Sequence, residues 1–169
     1  GCGIWLQGTG RDHDIVISTR IRLARNLAEF PFTSIASETE RRQILDRVRD
    51  VVTASPFAEQ LLYVPMEDLS DLDRQFLVER HLISRELAEG QGPRAVFIDH
   101  AERFSIMVNE EDHLRIQAMQ SGFEPEPTWA LINELDEYLG RNLVFAYDQE
   151  WGFLTACPTN VGTGMRVSV

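Results

Sequence analysis

Short apolar runs alternate with polar turns along the chain and predict a fold rich in β-strands. Residues 95–98 and 104–108 are β-branched or aromatic runs on either side of a polar turn, so together they predict a hairpin. In the second run Phe104, Ile106 and Val108 fall on one face, as residues two apart do in a strand. Strands are predicted by the same criteria at 61–64, 95–98, 104–108, 114–119 (closed by Gly122), 143–147, 153–156 and 166–169. Residues 143–147 and 153–156 form a second predicted hairpin.

Apolar residues recur with helical spacing in three other segments. Ser37 and Glu40 form a capping box that opens the first helix, the second helix covers residues 69–79, and the third covers residues 128–139 and ends at a C-cap, Gly140. The residues predicted to face inward are Ile44, Leu45, Val48, Val51 and Val52 in the first helix, Leu72, Phe76 and Leu77 in the second, and Leu131, Ile132, Leu135, Tyr138 and Leu139 in the third.

This order of elements predicts the fold class. Strands that follow one another directly, with helices between groups of them, indicate an antiparallel β-sheet covered by helices on one face, an α+β architecture. No repeat or linker divides the 169 residues, so residues 1–169 are expected to form one domain. The chain stops within a predicted strand, and we therefore expect this domain to be incomplete at its C-terminus.

Composition narrows the classes of protein to consider. The 27 acidic and 16 basic residues give a formal net charge of −11, which disfavours a nucleic-acid partner and suits a cationic one, although such a charge also simply aids solubility. No apolar run approaches the roughly 20 residues of a membrane span, and no secretory signal is recognisable. Two cysteines, Cys2 and Cys157, give no disulfide framework, so a cytoplasmic location is expected.

The segment STRIR at residues 18–22 carries two arginines at strand spacing. In a strand Arg20 and Arg22 would point to the same face as Ser18, about 7 Å apart, while Thr19 and Ile21 would face the other side. Two adjacent guanidinium groups match the oxygens of a polyphosphate. The alternative is an exposed edge strand whose arginines serve solubility. Arg25 has a different phase and is left outside this set.

The segment NEEDHLR at residues 109–115 places three acids ahead of an arginine. Carboxylates crowded at Glu110, Glu111 and Asp112 repel one another unless a cation or solvent relieves them, and a guanidinium would be such a cation. A guanidinium has a pKa of roughly 12.5–13.8 and no free lone pair at neutral pH, so a carboxylate would also be needed to accept its proton during attack on phosphorus. A solvated acidic turn is the alternative. Arg115 would bring phosphate binding next to the acids.

The segment CPTNVGTGMR at residues 157–166 combines a thiol, a glycine-rich turn and an arginine. Such turns expose backbone N–H groups that bind anions, and Arg166 adds a fixed charge. Cys157 is either a thiolate that orients a guanidinium or an inert buried thiol. His81 follows the second predicted helix and could be a capping or surface residue. The four histidines lack the spacing of a zinc site, and no metal-ligating residues are predicted.

These segments, in this order and spacing, resemble the guanidino (ATP:guanido) phosphotransferase family, and within it most closely the bacterial protein-arginine kinases. The resemblance runs from about Asp14 to the last residue. It implies an antiparallel sheet flanked by helices, and transfer of the γ-phosphoryl group of Mg-ATP to arginine side chains of proteins. The segment HLIS at residues 81–84 and the absence of room for a helical domain before Ser18 favour this branch over the kinases of free arginine or creatine. Arg85 and Val167 stand where the family is expected to have proline and alanine.

The resemblance also implies roles for individual residues. It implies Glu111 as the carboxylate that handles the guanidinium and Cys157 as the thiol beside it. The nucleotide-binding residues that it implies are Ser18, Thr19, Arg20, Ile21, Arg22, His81, Arg115, Arg166, Val167, Ser168 and Val169. Mg²⁺ would be held mainly by nucleotide phosphates. Protein substrates with exposed arginines are the expected partners, with a possible homodimer and a regulatory protein partner.

The resemblance further implies that a phosphate-binding arginine and a second substrate carboxylate lie beyond residue 169, as does the domain that recognises phosphoarginine. The expected function is therefore that of a protein-arginine kinase whose catalytic domain is represented by its N-terminal portion. The alternatives are a kinase of free arginine and a catalytically inactive fragment that binds nucleotide or arginine.

Overall fold

The computed structural model describes residues 3–169, so any prediction for Cys2 lies outside the described residues. Within that range the strands are β1 Ser18–Arg25, β2 Leu61–Pro65, β3 Ala95–Asp99, β4 Phe104–Val108, β5 Leu114–Ser121, β6 Tyr147–Asp148, β7 Gly152–Phe153 and β8 Met165–Ser168. The α-helices of the described part are α1 Glu38–Thr53, α2 Asp71–Glu79, α3 Arg85–Glu89 and α4 Pro125–Asn142. Between residues 3 and 169 no helix has both the length and the apolar character to cross a membrane.

Six strands form one antiparallel sheet in the order β2-β3-β4-β5-β1-β8. The predicted hairpin of β3 and β4 is confirmed, and β5 follows β4 in the same meander. β1 crosses to pair with β5 on one side and β8 on the other, so it lies inside the sheet. The alternative of an exposed edge strand for residues 18–22 is therefore wrong.

Helices α1 and α4 cover one face of the sheet and enclose the larger core. Inward side chains of β1, β3, β4 and β5 meet the apolar stripes of both helices there, and Phe104, Ile106 and Val108 share that face as predicted. The predicted fold class, an antiparallel sheet flanked by helices, is confirmed. The predicted stripe of α1 is also confirmed, since Ile44, Leu45, Val48 and Val52 are buried and Val51 packs against them.

A second, smaller core lies on the opposite face, which the sequence analysis left uncovered. It packs α3 and the turn at Ile4–Leu6 against β3, β4 and β5, and every residue of β3 and β4 is buried as a result. The cluster consists of Trp5, Met66, Leu82, Ile83, Leu87, Ala88, Val96, Ile98, Met107 and Met119. It stops short of β1 and β8, where the same face of the sheet is open.

Two predicted helix details are wrong. In α2, Leu77 packs against the smaller core as predicted, together with Val78, but Leu72 and Phe76 are 76% and 55% exposed. In α4, the helix continues past Gly140 and ends with Asn142 before the C-cap Leu143. A Cβ atom at Gly140 would lie 3.4 Å from the Phe145 ring, which is an ordinary van der Waals contact, so neither a helix end nor close packing requires glycine at this position.

The structure contains both the predicted capping box and the predicted second hairpin. The capping box is confirmed, because the Ser37 hydroxyl accepts from the Glu40 N–H while the Glu40 carboxylate accepts from the Ser37 N–H. The second predicted hairpin exists, but its strands β6 and β7 have only two residues each. The chain that follows β7 turns back towards β1 and leads into β8.

Candidate active site

Four arginines share the open face of the sheet. Arg20 and Arg22 come from β1, Arg115 from β5 and Arg166 from β8, and the strand register places Arg166 directly opposite Arg22. Strand pairing thus gathers cations that are up to 146 positions apart in the sequence. Because residues two apart on a strand share a face, the spacing in STRIR accounts for the first two members.

The electrostatics of this arginine cluster indicate a site for an anion. Burial and the charges of Arg115 and Arg166 lower the pKa of Arg20. Burial and the charges of Arg115, Arg20 and Arg166 lower the pKa of Arg22 to about 10, so that it is still protonated at neutral pH. The Nε atom of Arg22 is buried without a hydrogen-bond partner. A polyphosphate would relieve the repulsion and supply the missing acceptor.

Two adjoining cavities lie against this cluster. One has a volume of about 260 Å³, and its lining includes Arg22, Arg115 and Arg166 together with Glu111, Cys157 and Asn160. The second has a volume of about 510 Å³ and is lined by the cluster together with His81, Ser84 and Gln117. The first cavity therefore brings a carboxylate and a thiol next to three of the arginines.

The three acids of the NEEDHLR turn have three different environments. Glu110 is 9% exposed, pairs with Arg115 and accepts a hydrogen bond from Ser84 Oγ at 2.9 Å. Asp112 is 4% exposed and accepts from Asn26 Nδ2 and from the Ala156 N–H, both at 2.7 Å. Only Glu111 is exposed. The alternative of a solvated acidic turn is therefore wrong for Glu110 and Asp112.

Glu111 is the carboxylate of the turn that is left for a ligand. Burial and the charges of Asp112 and Glu110 raise its pKa, and Arg115 partly opposes this shift. A carboxylate with a raised pKa is a better proton acceptor than an ordinary one. These properties suit a general base that faces a cationic substrate.

His113, a residue to which the sequence analysis gave no role, holds the turn in place. Its Nδ1 atom accepts from the Leu27 N–H at 2.9 Å, so the proton resides on Nε2, which donates to the Pro31 carbonyl at 2.8 Å. Burial lowers the pKa of His113, although the Pro31 bond and Asp112 oppose the shift. The signal for this role is absent from the sequence because the partners lie more than 80 positions away.

The loop that begins at Cys157 forms another wall of the first cavity. Cys157 is half-buried, its Sγ atom lies 2.9 Å from Thr159 Oγ1, and the short 3₁₀ helix Pro158–Asn160 follows it. Gly162 and Gly164 have positive φ angles of 115° and 62°, which side-chain-bearing residues rarely adopt. Because Cys157 lines a cavity, the alternative of an inert, fully buried thiol does not describe it.

His81 lies at the rim of the second cavity. It follows α2 with a φ angle of +57°, and its ring makes an edge contact with Trp5 at a centroid distance of 5.4 Å. Gln117 Nε2 donates to the His81 carbonyl at 2.6 Å and fixes this turn to β5. Neither Trp5 nor Gln117 was identified from the sequence, since nothing in their local pattern distinguishes them from core and strand residues.

The other predicted nucleotide-binding residues divide between the two faces of the sheet. Ser18 and Ser168 lie on the arginine face, where Ser168 Oγ accepts from Arg20 Nε at 3.4 Å. Thr19 and Ile21 are buried on the helix face, and Val167 is opposite Ile21. Their side chains therefore point away from the cavities. Val169 follows the end of β8. Arg25 likewise lies outside the cluster, buried at the end of β1.

Within residues 3–169 no three His, Cys, Asp or Glu side chains are placed to hold a metal ion together. Glu110 and Asp112, the buried carboxylates nearest the cavity, already have protein partners.

An arginine cluster on an open sheet face, sharing a small cavity with an exposed carboxylate and a thiol, has groups suited to a polyphosphate next to a cationic ligand. Sequence comparison agrees. Residues 43–169 match the family model for the ATP:guanido phosphotransferase C-terminal catalytic domain, and the chain belongs to that family.

Among curated proteins, the chain is similar to protein-arginine kinases. The chain is 45% identical to a protein-arginine kinase of Halothermothrix orenii over 98% of its length and 47% of that protein. It is 46% identical to a protein-arginine kinase of Symbiobacterium thermophilum over 98% of its length and 48% of that protein. The chain thus spans about half the length of the curated relatives it matches.

Solved structures share the fold. The duplicated taurocyamine kinase from Schistosoma mansoni with bound transition state analog components superposes with a TM-score of 0.85 at 29% identity, over 91% of this chain and 23% of that one. Lombricine kinase superposes with a TM-score of 0.81 at 24% identity, over 96% of this chain and 49% of that one. The resemblance stated from the motifs is confirmed at the level of family and fold.

Proposed function

We propose that this chain is the part of a protein-arginine kinase that binds ATP and presents the acceptor guanidinium to it. The carrying observation is that Glu111, Cys157 and three arginines of the cluster, Arg22, Arg115 and Arg166, border one cavity. The names of the relatives support arginine residues of proteins as acceptors.

The residues on the arginine face fit a nucleotide polyphosphate. Arg20, Arg22, Arg115 and Arg166 would bind its oxygens, with the unpartnered Nε of Arg22 available for one of them. Mg²⁺, when bound with the nucleotide, supplies further charge neutralisation at the phosphates. We propose that the nucleotide holds the ion, because Glu110 and Asp112 are engaged by Arg115 and Asn26.

The roles proposed for the residues that bind the acceptor guanidinium follow from its positive charge and from the proton that it must lose. Glu111 would pair with the guanidinium, align one nitrogen with the γ-phosphorus and take the proton that this nitrogen loses as the N–P bond forms and the bond to the leaving ADP oxygen breaks. Cys157, which lines the same cavity, would contact the same guanidinium. The four arginines would stabilise the charge on the transferring phosphoryl group.

Several wider expectations belong to this proposal. Residues 1–169 would be the N-terminal portion of the catalytic domain, acting in the cytoplasm on proteins with exposed arginines. The expected homodimer and regulatory partner stay predictions, since no described contact bears on them.

Phosphotransfer assays test the proposal. The chain is incubated with Mg-ATP and either an arginine-rich protein or free arginine, and acid-labile phosphate is scored by intact mass. Label on the protein alone supports a protein-arginine kinase, and label on free arginine alone supports the other branch. Glu111→Gln serves as the inactive variant and Glu134→Gln, an exposed acid on α4, as its matched control. If neither acceptor is labelled although ATP binds, the chain is a binding fragment and the proposed activity fails for it.

A further inference from the structure

Arg25 is the arginine of β1 that does not face the cavities, and its surroundings show a different use. It is 3% exposed at the last position of the strand. Its Nε and Nη2 atoms donate to the two carboxylate oxygens of Asp136 on α4, at 3.0 and 2.8 Å. Its guanidinium carbon lies 3.6 Å from the centre of the Phe153 ring. A buried side chain with this many fixed contacts has a single geometry.

The remaining nitrogen of Arg25 reaches the loop that carries the thiol. Nη1 donates to the carbonyls of Ala24 and Thr163, both at 2.9 Å. The loop backbone approaches so closely that a Cβ atom at Gly164 would lie 2.6 Å from Arg25 Nη1 and 2.6 Å from the Ala24 carbonyl oxygen. The Ala24 N–H also donates to the Gly164 carbonyl at 2.9 Å. Arg25 therefore fixes the distal end of the loop, directly before Arg166.

The residue that follows Arg25 fixes the other end of the same loop. Asn26 Nδ2 donates to the Leu154 carbonyl at 3.1 Å and to Asp112, which accepts from the Ala156 N–H. Two consecutive residues at the end of β1 thus hold the loop on both sides of Cys157. The thiol and the short 3₁₀ helix after it lie between these two attachments.

We infer that Arg25 is a positioning residue, which acts through Thr163 and Gly164 to hold Cys157 and Arg166 at the cavity. The inference rests on the proposed function for its meaning, but the loop geometry that it concerns can be measured without catalysis. A buried ion pair is not needed for stability as such, because a well-packed apolar pair can replace it at little or no cost. What an apolar pair cannot replace is the hydrogen bond to Thr163.

The test separates positioning from stability by comparing single and double variants. In a Cys2→Ser background, where Cys157 is the remaining thiol, the rate of alkylation by iodoacetamide is measured at fixed pH. We expect Arg25→Met to raise this rate about fivefold, because the loop opens more often. Arg25→Met/Asp136→Leu is expected to recover thermal stability, since no unpaired buried charge remains, and yet to keep the raised alkylation rate.

Arg103→Met is the matched control. Arg103 also makes a two-pronged pair with a buried carboxylate, Asp99, but at the β3–β4 hairpin away from the loop. It should lower stability without changing the alkylation rate. Should Arg25→Met prove too unstable to purify, Arg25→Lys keeps the charge but cannot make the two-pronged pair and the Thr163 bond together, and a raised rate is expected there too.

Two outcomes would overturn the inference. One is a double variant that regains both stability and the parental alkylation rate, and the other is an Arg103→Met rate as high as that of Arg25→Met. Either result would mean that Arg25 acts only through global stability. A parent protein that transfers no phosphate would contradict the proposed function instead, and the alkylation rates would still decide the role of Arg25.

Discussion

At the scale of single residues, the hydrogen-bond and ion-pair partners of each acid in the NEEDHLR turn decide whether its carboxylate is available for a ligand. Glu110, Glu111 and Asp112 are adjacent, yet an arginine neutralises the first and amides hold the third. Glu111 alone keeps an open side and a raised pKa. The chemistry of the site therefore depends on which carboxylate is left without a partner.

Replacing Glu111 tests this assignment. Glu111→Gln should lower phosphotransfer by roughly 100-fold or more, the range in which loss of a positioned general base usually falls. ATP affinity should stay nearly unchanged because the arginine cluster is intact. Initial rates and ATP titrations of both proteins measure the two quantities. Equal rates in the variant and its parent would remove Glu111 from this role.

His113 makes the stability of the turn depend on pH. Its pKa is lowered in the folded protein, so the unfolded chain binds more protons and the free energy of unfolding falls as the pH drops below about 6.5. His113→Gln should be less stable than the parent at neutral pH, but its free energy of unfolding should lack the decrease on acidification that His113 causes. Urea unfolding at about pH 7.5 and about pH 5.5 should therefore show a smaller stability gap between the two proteins at the lower pH. A gap that grows on acidification would contradict the linkage; His100→Gln, at an exposed site, is the control.

Residue types could be predicted here, but their partners could not. Charge and spacing indicated the acids of NEEDHLR as a group and the arginines of STRIR and NEEDHLR, whereas Glu111 was singled out by the family resemblance. The hydrogen bonds of Asp112 reach across 86 and 44 positions to Asn26 and Ala156, and local pattern contains no information about them. The same limit explains why Arg25 was set aside for its phase, although the structure gives it the most contacts of any β1 arginine.

At the scale of elements, β1 organises the site. It lies between β5 and β8, and each neighbour contributes one arginine to the cluster that β1 begins. The strands β2 to β5 were predictable from apolar runs, whereas the extents of β6 and β7, the helix ends and the inward faces were less so. Gly140 was predicted to end the helix but lies inside α4, and Leu72 and Phe76 were predicted to face inward but are exposed.

The N-terminal cap of α1 offers a test at this scale. Ser37→Ala removes the hydroxyl that accepts from the Glu40 N–H and should lower the free energy of unfolding by about 1 kcal/mol. Chemical denaturation of the variant and its parent measures the difference. Ser34→Ala, at an exposed serine three residues earlier, should change stability little. A similar loss in both variants would show that the cap is not the cause.

At the scale of the whole molecule, charge is unevenly placed. The chain carries a formal net charge of −11, yet four arginines crowd one face of β1, β5 and β8. The net charge of the whole chain therefore does not indicate the charge of the ligand that the arginine face would bind. Local cationic density, produced by strand pairing, determines what binds.

Stabilisation by nucleotide should report on this cluster. ATP that binds the folded state raises the melting temperature by mass action, and Arg22→Met should reduce this rise, with a further loss as salt screens the remaining charges. Differential scanning fluorimetry over a series of ATP and salt concentrations measures the effect. Arg47→Met, at an exposed residue of α1 paired with Glu29, should leave the rise intact. An equal rise in all three proteins would place nucleotide binding elsewhere.

The internal position of β1 has a consequence for how this sequence can vary over evolutionary time. Strand side chains alternate between faces, so a one-residue insertion or deletion within β1 would turn Arg20 and Arg22 towards the helices and bring Thr19 and Ile21 to the open face. Neighbours on both sides prevent the strand from sliding to compensate. Substitutions in β1 alter the site one contact at a time, whereas a change in its length exchanges the apolar and cationic surfaces at once.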